Sequence, residues 1–323
     1  MRTPALIGEL RLRGLTRPKL QTSQNGTTSS GMDYLLHPEF VASVPFGSWV
    51  TRRLLAQRVA ETLVDEPKAD PNITVVVRAL NEAAKLERLF EDIHNQVFAS
   101  EVELIVVDNE STDGTPQVAK SHHAEVVTLP RDSFSYPRAL NVGMEAASNG
   151  LVFMTNAHVR LSNALTLHAG ARHFVGNDDT GGAFGTVLPS DGASYVERLS
   201  AMGESNLSLG KPARRIKRAG LGALAATGAM VSKEAWQQLG HFDERYQSGG
   251  EDTALAKTML DNGWAVVEEP ALTVHHSHGL GLVDNFKQYL DQLKIVKAPR
   301  QLDKQDLLRR RPDLRTRISR NEP

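Results

Sequence analysis

The chain contains no cysteine, so it can form neither disulfides nor cysteine-ligated zinc sites. Its net charge is −1 over 323 residues, which gives no electrostatic case for nucleic-acid binding. No run approaches the roughly 20 apolar residues that a membrane-spanning helix needs. The first residues also lack the apolar stretch of a signal peptide. We therefore expect a soluble, cytoplasmic protein.

The two ends of the chain differ in composition from its centre. Residues 1–72 predict an N-terminal extension that holds a Ser-, Thr-, Asn- and Gly-rich linker and an accessory helix. Residues 281–323 predict a helical tail, and Val283 to Pro323 carries eleven basic against six acidic side chains. Such a tail is a solvated segment or, alternatively, a peripheral contact with an anionic membrane surface. Residues 73–280 remain as the main domain.

The main domain alternates short β-branched runs with helical patterns. Ile73–Val77, Leu104–Val107, Glu125–Thr128 and Leu151–Met154 predict strands, and apolar residues recur at helical intervals between them. Such alternation predicts an α/β fold with a mostly parallel sheet. The second half is less regular: it predicts strands such as Leu224–Val231 among further helices, and so a mixed arrangement.

Polar residues cluster directly after three of these predicted strands, in segments 78–82, 108–113 and 156–158. Ligands of open α/β sheets bind beyond the carboxyl ends of the strands. Turns also favour Asn, Asp and Gly, so one cluster alone would be a weak signal. Three clusters at one predicted edge indicate a binding site.

The order of the motifs makes the prediction specific. Arg78-Ala-Leu-Asn-Glu82, Val107-Asp-Asn-Glu-Ser-Thr-Asp-Gly-Thr115 and Phe134-Ser-Tyr-Pro-Arg-Ala-Leu-Asn-Val-Gly143 are followed by Gly249-Gly-Glu-Asp252 and Val274-His-His-Ser-His-Gly279. From about residue 73 to 278 the chain resembles family 2 glycosyltransferases. The resemblance implies the GT-A fold, with a Rossmann-like nucleotide-binding half and a mixed acceptor-binding half. It also implies a nucleotide-sugar site formed by Arg78, Leu80, Asn81, Glu82, Asp108, Asn109, Asp113, Arg138, Asn141, Asn156 and Ala157.

Two of these residues have an ordinary structural alternative. Asp113 can bind the nucleotide or only fix the turn before Thr115. Arg138 can face the diphosphate, since its guanidinium fork suits phosphate oxygens, or it can be a surface residue of a helix. The sequence leaves both alternatives open.

Asn156-Ala157-His158 departs from the family pattern, in which two acids separated by one residue hold Mn²⁺ or Mg²⁺. The variant resembles a rhamnosyltransferase-like subgroup. His158 can still ligate a metal through a neutral ring nitrogen, and imidazole suits softer divalent ions than Mg²⁺. The late histidine segment offers His276, or else His278, as a second ligand. The alternative is a buried or capping histidine without a metal.

Glu251 and Asp252 open a predicted helix after two glycines. Acidic residues are favoured at that position in any helix, which is the structural alternative. The resemblance implies catalysis: Asp252 would take the proton of the acceptor hydroxyl, and Glu251 would position the acceptor or the sugar.

These features together predict an inverting hexosyltransferase that is assisted by a divalent cation. The donor would be a UDP-, GDP- or dTDP-sugar, and the acceptor a carbohydrate, a lipid-linked sugar or a small molecule. A non-catalytic nucleotide-sugar-binding scaffold is the main alternative. A nucleotidyltransferase is disfavoured because residues 79–82 lack the Gly-rich basic loop of that class.

Overall fold

The computed structural model describes residues 69–190, 193–194, 212–220, 222–246 and 249–277. The predicted linker, accessory helix and basic tail lie outside the described residues, as does His278. Within the described part of the chain, no helix is long and apolar enough to cross a membrane.

The described chain forms an α/β domain with eleven strands and six α-helices. Its strands are β1 (Ile73–Ala79), β2 (Val102–Asp108), β3 (Glu125–Thr128), β4 (Leu151–Asn156), β5 (Arg160–Leu161), β6 (Thr180–Phe184), β7 (Val187–Leu188), β8 (Arg214–Arg215), β9 (Gly228–Ser232), β10 (Ala265–Glu268) and β11 (Val274–His275). Its helices are α1 (Ala83–His94), α2 (Thr115–Ser121), α3 (Tyr136–Ala146), α4 (Thr166–Ala171), α5 (Lys233–Gln238) and α6 (Glu251–Asp261).

Eight strands form the central sheet in the order β3-β2-β1-β4-β9-β6-β10-β8. Strands β3, β2, β1 and β4 are parallel to one another, and β10 is parallel to β6. Strand β9 runs antiparallel to β4 and β6, and β8 runs antiparallel to β10. The sheet is therefore mostly parallel, as predicted. The parallel half reads as continuous apolar runs because helices cover both of its faces.

Two apolar layers hold the helices on the sheet. Leu86, Leu89 and Phe90 of α1 pack on one face, and Leu140 and Met144 of α3 pack on the other. Helix α3 approaches the sheet closely at Gly143, where an added Cβ would lie 2.2 Å from a methyl carbon of Val76. This approach fixes the start of α3 beside the carboxyl ends of β1 and β2.

A second, smaller sheet joins distant parts of the chain in the order β5-β11-β7. Strand β11 is antiparallel to β5, with Val274 opposite Leu161 and His275 opposite Arg160. Because β5 follows His158 and β11 precedes His276, this pairing brings the two histidines to one place.

Candidate active site

The three predicted polar clusters meet at one edge of the central sheet. In the strand register, Ala79 lies opposite Asp108, and Arg78 lies opposite Asn156. This edge is formed by the carboxyl ends of β1, β2 and β4, where open α/β sheets bind their ligands.

Asp108 ends β2 with a carboxylate that is only partly used by the protein. Its side chain is buried, and one oxygen accepts a hydrogen bond from the backbone N–H of Ser111 at 3.0 Å. The other oxygen, Oδ1, is buried without a hydrogen-bond partner among the described residues. A buried unpaired carboxylate oxygen is costly, so Oδ1 is suited to accept from a ligand N–H or hydroxyl.

Asn81 and Asp113 tie the loops after β1 and β2 together. Asn81 has a left-handed backbone (φ 53°), and its Oδ1 accepts from the N–H of Thr112 at 2.8 Å. Asp113 accepts from the N–H groups of Ala83 and Thr115 at 3.0 and 3.1 Å. One carboxylate oxygen of Asp113 thus fixes its own turn, and the other bonds the start of α1.

Arg78 lies at the centre of the edge. Its Nη2 donates to Oδ1 of Asn156 at 2.7 Å, and its guanidinium carbon lies 5.3 Å from the centre of the Tyr136 ring. Its Nε is buried without a hydrogen-bond partner among the described residues. Burial lowers the pKa of Arg78, while the negative charges of Glu251 and Asp252 raise it. A guanidinium remains charged even so, which places a fixed positive charge next to the acidic pair.

Tyr136 lies beside Arg78 at this edge, and the sequence did not single it out. Its ring is 45% exposed although it begins α3, and it meets Phe134 edge-on with 5.5 Å between ring centres. Leu80, which is also exposed, belongs to the loop at the same edge. The available signal was an aromatic residue directly after Ser135, whose side chain caps α3. Exposed aromatic rings beside Arg78 offer a stacking surface for a planar or sugar ring.

His158 and His276 face each other across the site. Their Nε2 atoms lie 2.8 Å apart, and their ring centres lie 4.7 Å apart. The antiparallel pairing of β5 and β11, continued by one residue, places His276 opposite Val159, the residue next to His158. By contrast, His275 is buried, and its Nδ1 lies 3.1 Å from the carbonyl oxygen of Pro189.

Glu82 contacts the other nitrogen of His158. Its Oε1 lies 2.8 Å from Nδ1 of His158 and 3.2 Å from Nζ of Lys85. Burial alone would raise the pKa of Glu82, but the hydrogen bonds and charges of His158 and Lys85 hold it below its ordinary value. Glu82 is therefore ionised at neutral pH.

Glu251 and Asp252 begin α6 after two glycines in left-handed conformations, with φ values of 119° and 100° at Gly249 and Gly250. Only glycine adopts such angles readily, which allows the sharp entry into the helix. Glu251 is 3% exposed, and its Oε2 has no hydrogen-bond partner among the described residues. Asp252 is partly exposed, and its Oδ1 accepts from the N–H of Thr253 at 2.6 Å.

The acidic pair has perturbed ionisation. Burial, followed by the charge of Asp252, raises the pKa of Glu251 to about 7. Burial also raises the pKa of Asp252, against hydrogen bonds from the backbone of Thr253 and Ala226 and the charge of Arg78. Raised carboxyl pKa values are typical of groups that exchange protons during catalysis.

Several residues to which the resemblance gives a role in nucleotide-sugar binding are buried or hydrogen-bonded within the domain. Asn141 is buried and donates to the carbonyl of Phe242 at 2.9 Å, while its Oδ1 accepts from Trp236 and from the N–H of Phe242. Asn109 donates to the carbonyl of Leu129, and Ala157 is fully buried. All three side chains are buried, and those of Asn109 and Asn141 form hydrogen bonds within the domain. Arg138 is exposed near the start of α3, and its backbone N–H bonds Ser135.

A mostly parallel sheet with polar side chains gathered at the carboxyl ends of β1, β2 and β4 is the architecture expected of a GT-A fold. The model of the family "Glycosyl transferase family 2" matches residues 74–240, which is more than half of the chain. The chain belongs to glycosyl transferase family 2 and is a glycosyltransferase.

Individual relatives are distant. The chain is 23% identical over 232 residues to the O-antigen chain rhamnosyltransferase WbaN of Salmonella anatum, covering 68% of this chain and 71% of that protein. It is 22% identical over 207 residues to the glycosyltransferase AglE of Haloferax volcanii, covering 61% of this chain and 64% of AglE, just under two thirds of its length. Mannosyl-3-phosphoglycerate synthase from Rubrobacter xylanophilus is similar in structure, with a TM-score of 0.51, 19% identity and 78% coverage of both chains. This similarity supports the GT-A fold.

Proposed function

We propose that the protein transfers a sugar from a nucleoside-diphosphate donor to an acceptor hydroxyl with inversion, and that Asp252 is the base. The observation that carries the proposal is the acidic pair at the start of α6, which has raised pKa values and lies within the field of Arg78. Asp252 is partly exposed, whereas Glu251 is buried. An acceptor can therefore reach Asp252 more easily, and Glu251 fits a positioning role.

In the proposed reaction, Asp252 takes the proton of the acceptor hydroxyl as its oxygen attacks the anomeric carbon. The new glycosidic bond forms while the bond between sugar and diphosphate breaks, and the electron pair leaves with the nucleoside diphosphate. Arg78 supports the base because its positive charge favours the ionised carboxylate.

Residues at the sheet edge account for donor binding. Oδ1 of Asp108 is free among the described residues to accept from the base or the ribose, and Tyr136 offers a ring for stacking. The Arg78–Asn156 pair presents hydrogen-bonding groups where the diphosphate and sugar would lie. We propose a UDP-, GDP- or dTDP-sugar, and a rhamnosyl donor is the first to test because WbaN is named a rhamnosyltransferase.

The histidine pair fits a divalent cation. Two nitrogens about 2.1 Å from one ion, at right angles, would be about 3.0 Å apart, and the Nε2 atoms of His158 and His276 lie 2.8 Å apart. No group of three His, Asp or Glu side chains suited to a metal exists among the described residues. The protein would thus supply two nitrogen ligands and leave the other positions to donor oxygens and water. Bound there, a cation such as Mn²⁺ or Mg²⁺ would offset the charge of the leaving diphosphate.

A donor screen tests the proposal. Thermal unfolding is measured with nucleoside diphosphates and their sugars, with Mn²⁺, Mg²⁺ or EDTA present, because a ligand that binds the folded state raises the melting temperature. We expect stabilisation by one nucleotide, lost in EDTA. The Asp252→Asn variant should keep this stabilisation and lose transfer of the matching sugar. Normal turnover by that variant would remove Asp252 from its role.

A further inference from the structure

Glu110, in the loop after β2, has a backbone conformation that glutamate rarely adopts. Its φ is 55°, in the left-handed region, where a residue with a Cβ is strained. Strained residues of this kind persist only where the surrounding structure holds them, and they cluster at functional sites. Glu110 is exposed, so packing in the core does not hold it. Its backbone must therefore be fixed by specific contacts.

Arg131, in the loop after β3, makes two such contacts with Glu110. The backbone N–H of Arg131 donates to Oε2 of Glu110 at 3.0 Å, and Nη2 of Arg131 donates to the carbonyl oxygen of Glu110 at 3.0 Å. The same two loops are also joined by the N–H of Leu129, which donates to the carbonyl oxygen of Asp108 at 2.8 Å. Arg131 thus binds both the side chain and the backbone of Glu110 and supports its left-handed conformation.

The conformation of Glu110 sets the direction of the next N–H group, that of Ser111. Because the peptide unit is planar, this N–H turns with the backbone torsions of Glu110. It points back to Asp108 and donates to Oδ2 at 3.0 Å. The other oxygen, Oδ1, stays buried without a hydrogen-bond partner among the described residues. The turn at Glu110 therefore fixes the carboxylate of Asp108 by one oxygen and leaves the other for a ligand.

We propose that Glu110 is a positioning residue for donor binding: held by Arg131, it turns the N–H of Ser111 onto Asp108 and so orients Oδ1 of Asp108 for the nucleotide. This inference rests on the proposed donor site at Asp108. Glu110 acts through Asp108 and need not touch the donor. If the contact with Arg131 is removed, the loop relaxes to an ordinary backbone conformation, and binding must first restore the left-handed one. The apparent affinity then falls with the population of the competent loop.

Three substitutions at position 110 separate the carboxylate from the backbone conformation. Glu110→Ala removes the contact with the N–H of Arg131 and keeps a Cβ, so the left-handed conformation loses its support. Glu110→Asn also removes this contact, because its side chain is shorter, but Asn tolerates a left-handed backbone. Glu110→Gln keeps an acceptor oxygen at the same reach.

His123 provides the matched control. Its φ is 60°, and it is exposed like Glu110. It lies before β3, whose parallel pairing with β2 places it at the opposite end of the sheet from Asp108. His123→Ala therefore introduces the same residue into the same backbone conformation away from the site.

The experiment measures nucleotide binding and the order of the loop separately. UDP, GDP and dTDP are titrated calorimetrically into each protein with Mn²⁺ present, and hydrogen exchange at the N–H of Ser111 is followed by NMR without nucleotide. We expect Glu110→Ala to bind the preferred nucleotide about 5–30-fold more weakly, which corresponds to the cost of a left-handed residue, and to exchange the Ser111 proton faster. Glu110→Asn and Glu110→Gln should bind within about 3-fold of the wild type, because both can keep the turn. His123→Ala should match the wild type.

The outcomes separate the inference from the function on which it rests. If the wild type binds none of the three nucleotides, the proposed donor site is wrong and the role of Glu110 falls with it. If the wild type binds one of them and Glu110→Ala binds it equally well, only the role of Glu110 is overturned. If Glu110→Asn binds as weakly as Glu110→Ala, the carboxylate itself is required, and the positioning role through the backbone is again overturned. Recovery of binding and of Ser111 protection in Glu110→Asn supports the inference.

Discussion

Replacing Glu251 with Gln tests whether the buried, ionised carboxylate of Glu251 destabilises the folded protein. Glu251 is 3% exposed, and burial together with Asp252 raises its pKa to about 7 from an ordinary value of 4.5. Each tenfold change in the ionisation equilibrium corresponds to about 1.4 kcal/mol. The ionised form of Glu251 therefore costs the folded state about 3 kcal/mol.

The direction in which stability changes with pH follows from the number of protons bound in the folded and unfolded states. Between about pH 4.5 and pH 7 the folded chain holds a proton on Glu251 that the unfolded chain has released, so stability falls as the pH rises. Below this range both states are protonated and the penalty is absent, and above it the penalty is complete. Glu251→Gln removes the ionisable group. We expect it to stabilise the protein by up to about 3 kcal/mol at pH 8, and about 2 kcal/mol of that gain should disappear by pH 5.

Urea denaturation at the two pH values measures this difference. Glu269 provides the contrasting control: it is also buried, but contacts with His173 and Arg172 lower its pKa against the effect of burial. Glu269→Gln should therefore destabilise the protein at pH 8, and less so at low pH. An equal effect of Glu251→Gln at both pH values would refute the argument, since it would show that Glu251 does not titrate differently on folding.

Two further predictions concern the charge at the site and the packing beneath it. Arg78→Met should raise the pKa of the acidic pair and move the acidic limb of the kcat–pH profile to higher pH, with about a tenfold loss on the acidic side for each pH unit moved. Arg78→Lys should leave the acidic limb in place because it keeps the positive charge. Arg88→Met, on the exposed side of α1, is the control. An acidic limb that does not move in Arg78→Met would contradict the role of the guanidinium. Gly143→Ala should lower stability by about 1–3 kcal/mol through overpacking, because its Cβ would meet Val76, whereas Gly150→Ala meets no atom within 4 Å. Equal unfolding midpoints in urea for these two variants would show that α3 can shift away from the sheet.

The fold was predictable where local pattern and packing agree. The apolar runs of β1, β2 and β4 and the helices between them predicted the parallel half correctly, because strands covered on both faces have a distinct composition. The strand predicted from Leu224 begins only at Gly228. Leu224 has a left-handed backbone, φ 57°, and lies in a turn that its apolar side chain does not reveal.

The site was predictable in its location more than in its details. The strand ends indicated the edge, since parallel topology alone brings segments 78–82, 108–113 and 156–158 together. The hydrogen bonds of Asn141 with Trp236 and Phe242 join residues that are 95 and 101 positions apart in the chain. The contact of Glu82 with His158 is likewise long-range. No local sequence pattern reveals partners that are so far away in the chain. The motifs therefore suggested ligand contacts for some side chains that form hydrogen bonds within the protein.

The pairing of β5 with β11 has a consequence for dividing this chain into parts. The family model ends at residue 240, whereas the acidic pair, β10 and His276 all follow it. A fragment cut at residue 240 would retain Asp108 and most of the parallel strands. It would lack both carboxylates of the acidic pair and would lack His276. It would also leave β6 without its parallel neighbour β10. With the roles proposed above, the smallest unit expected to act extends at least through His276.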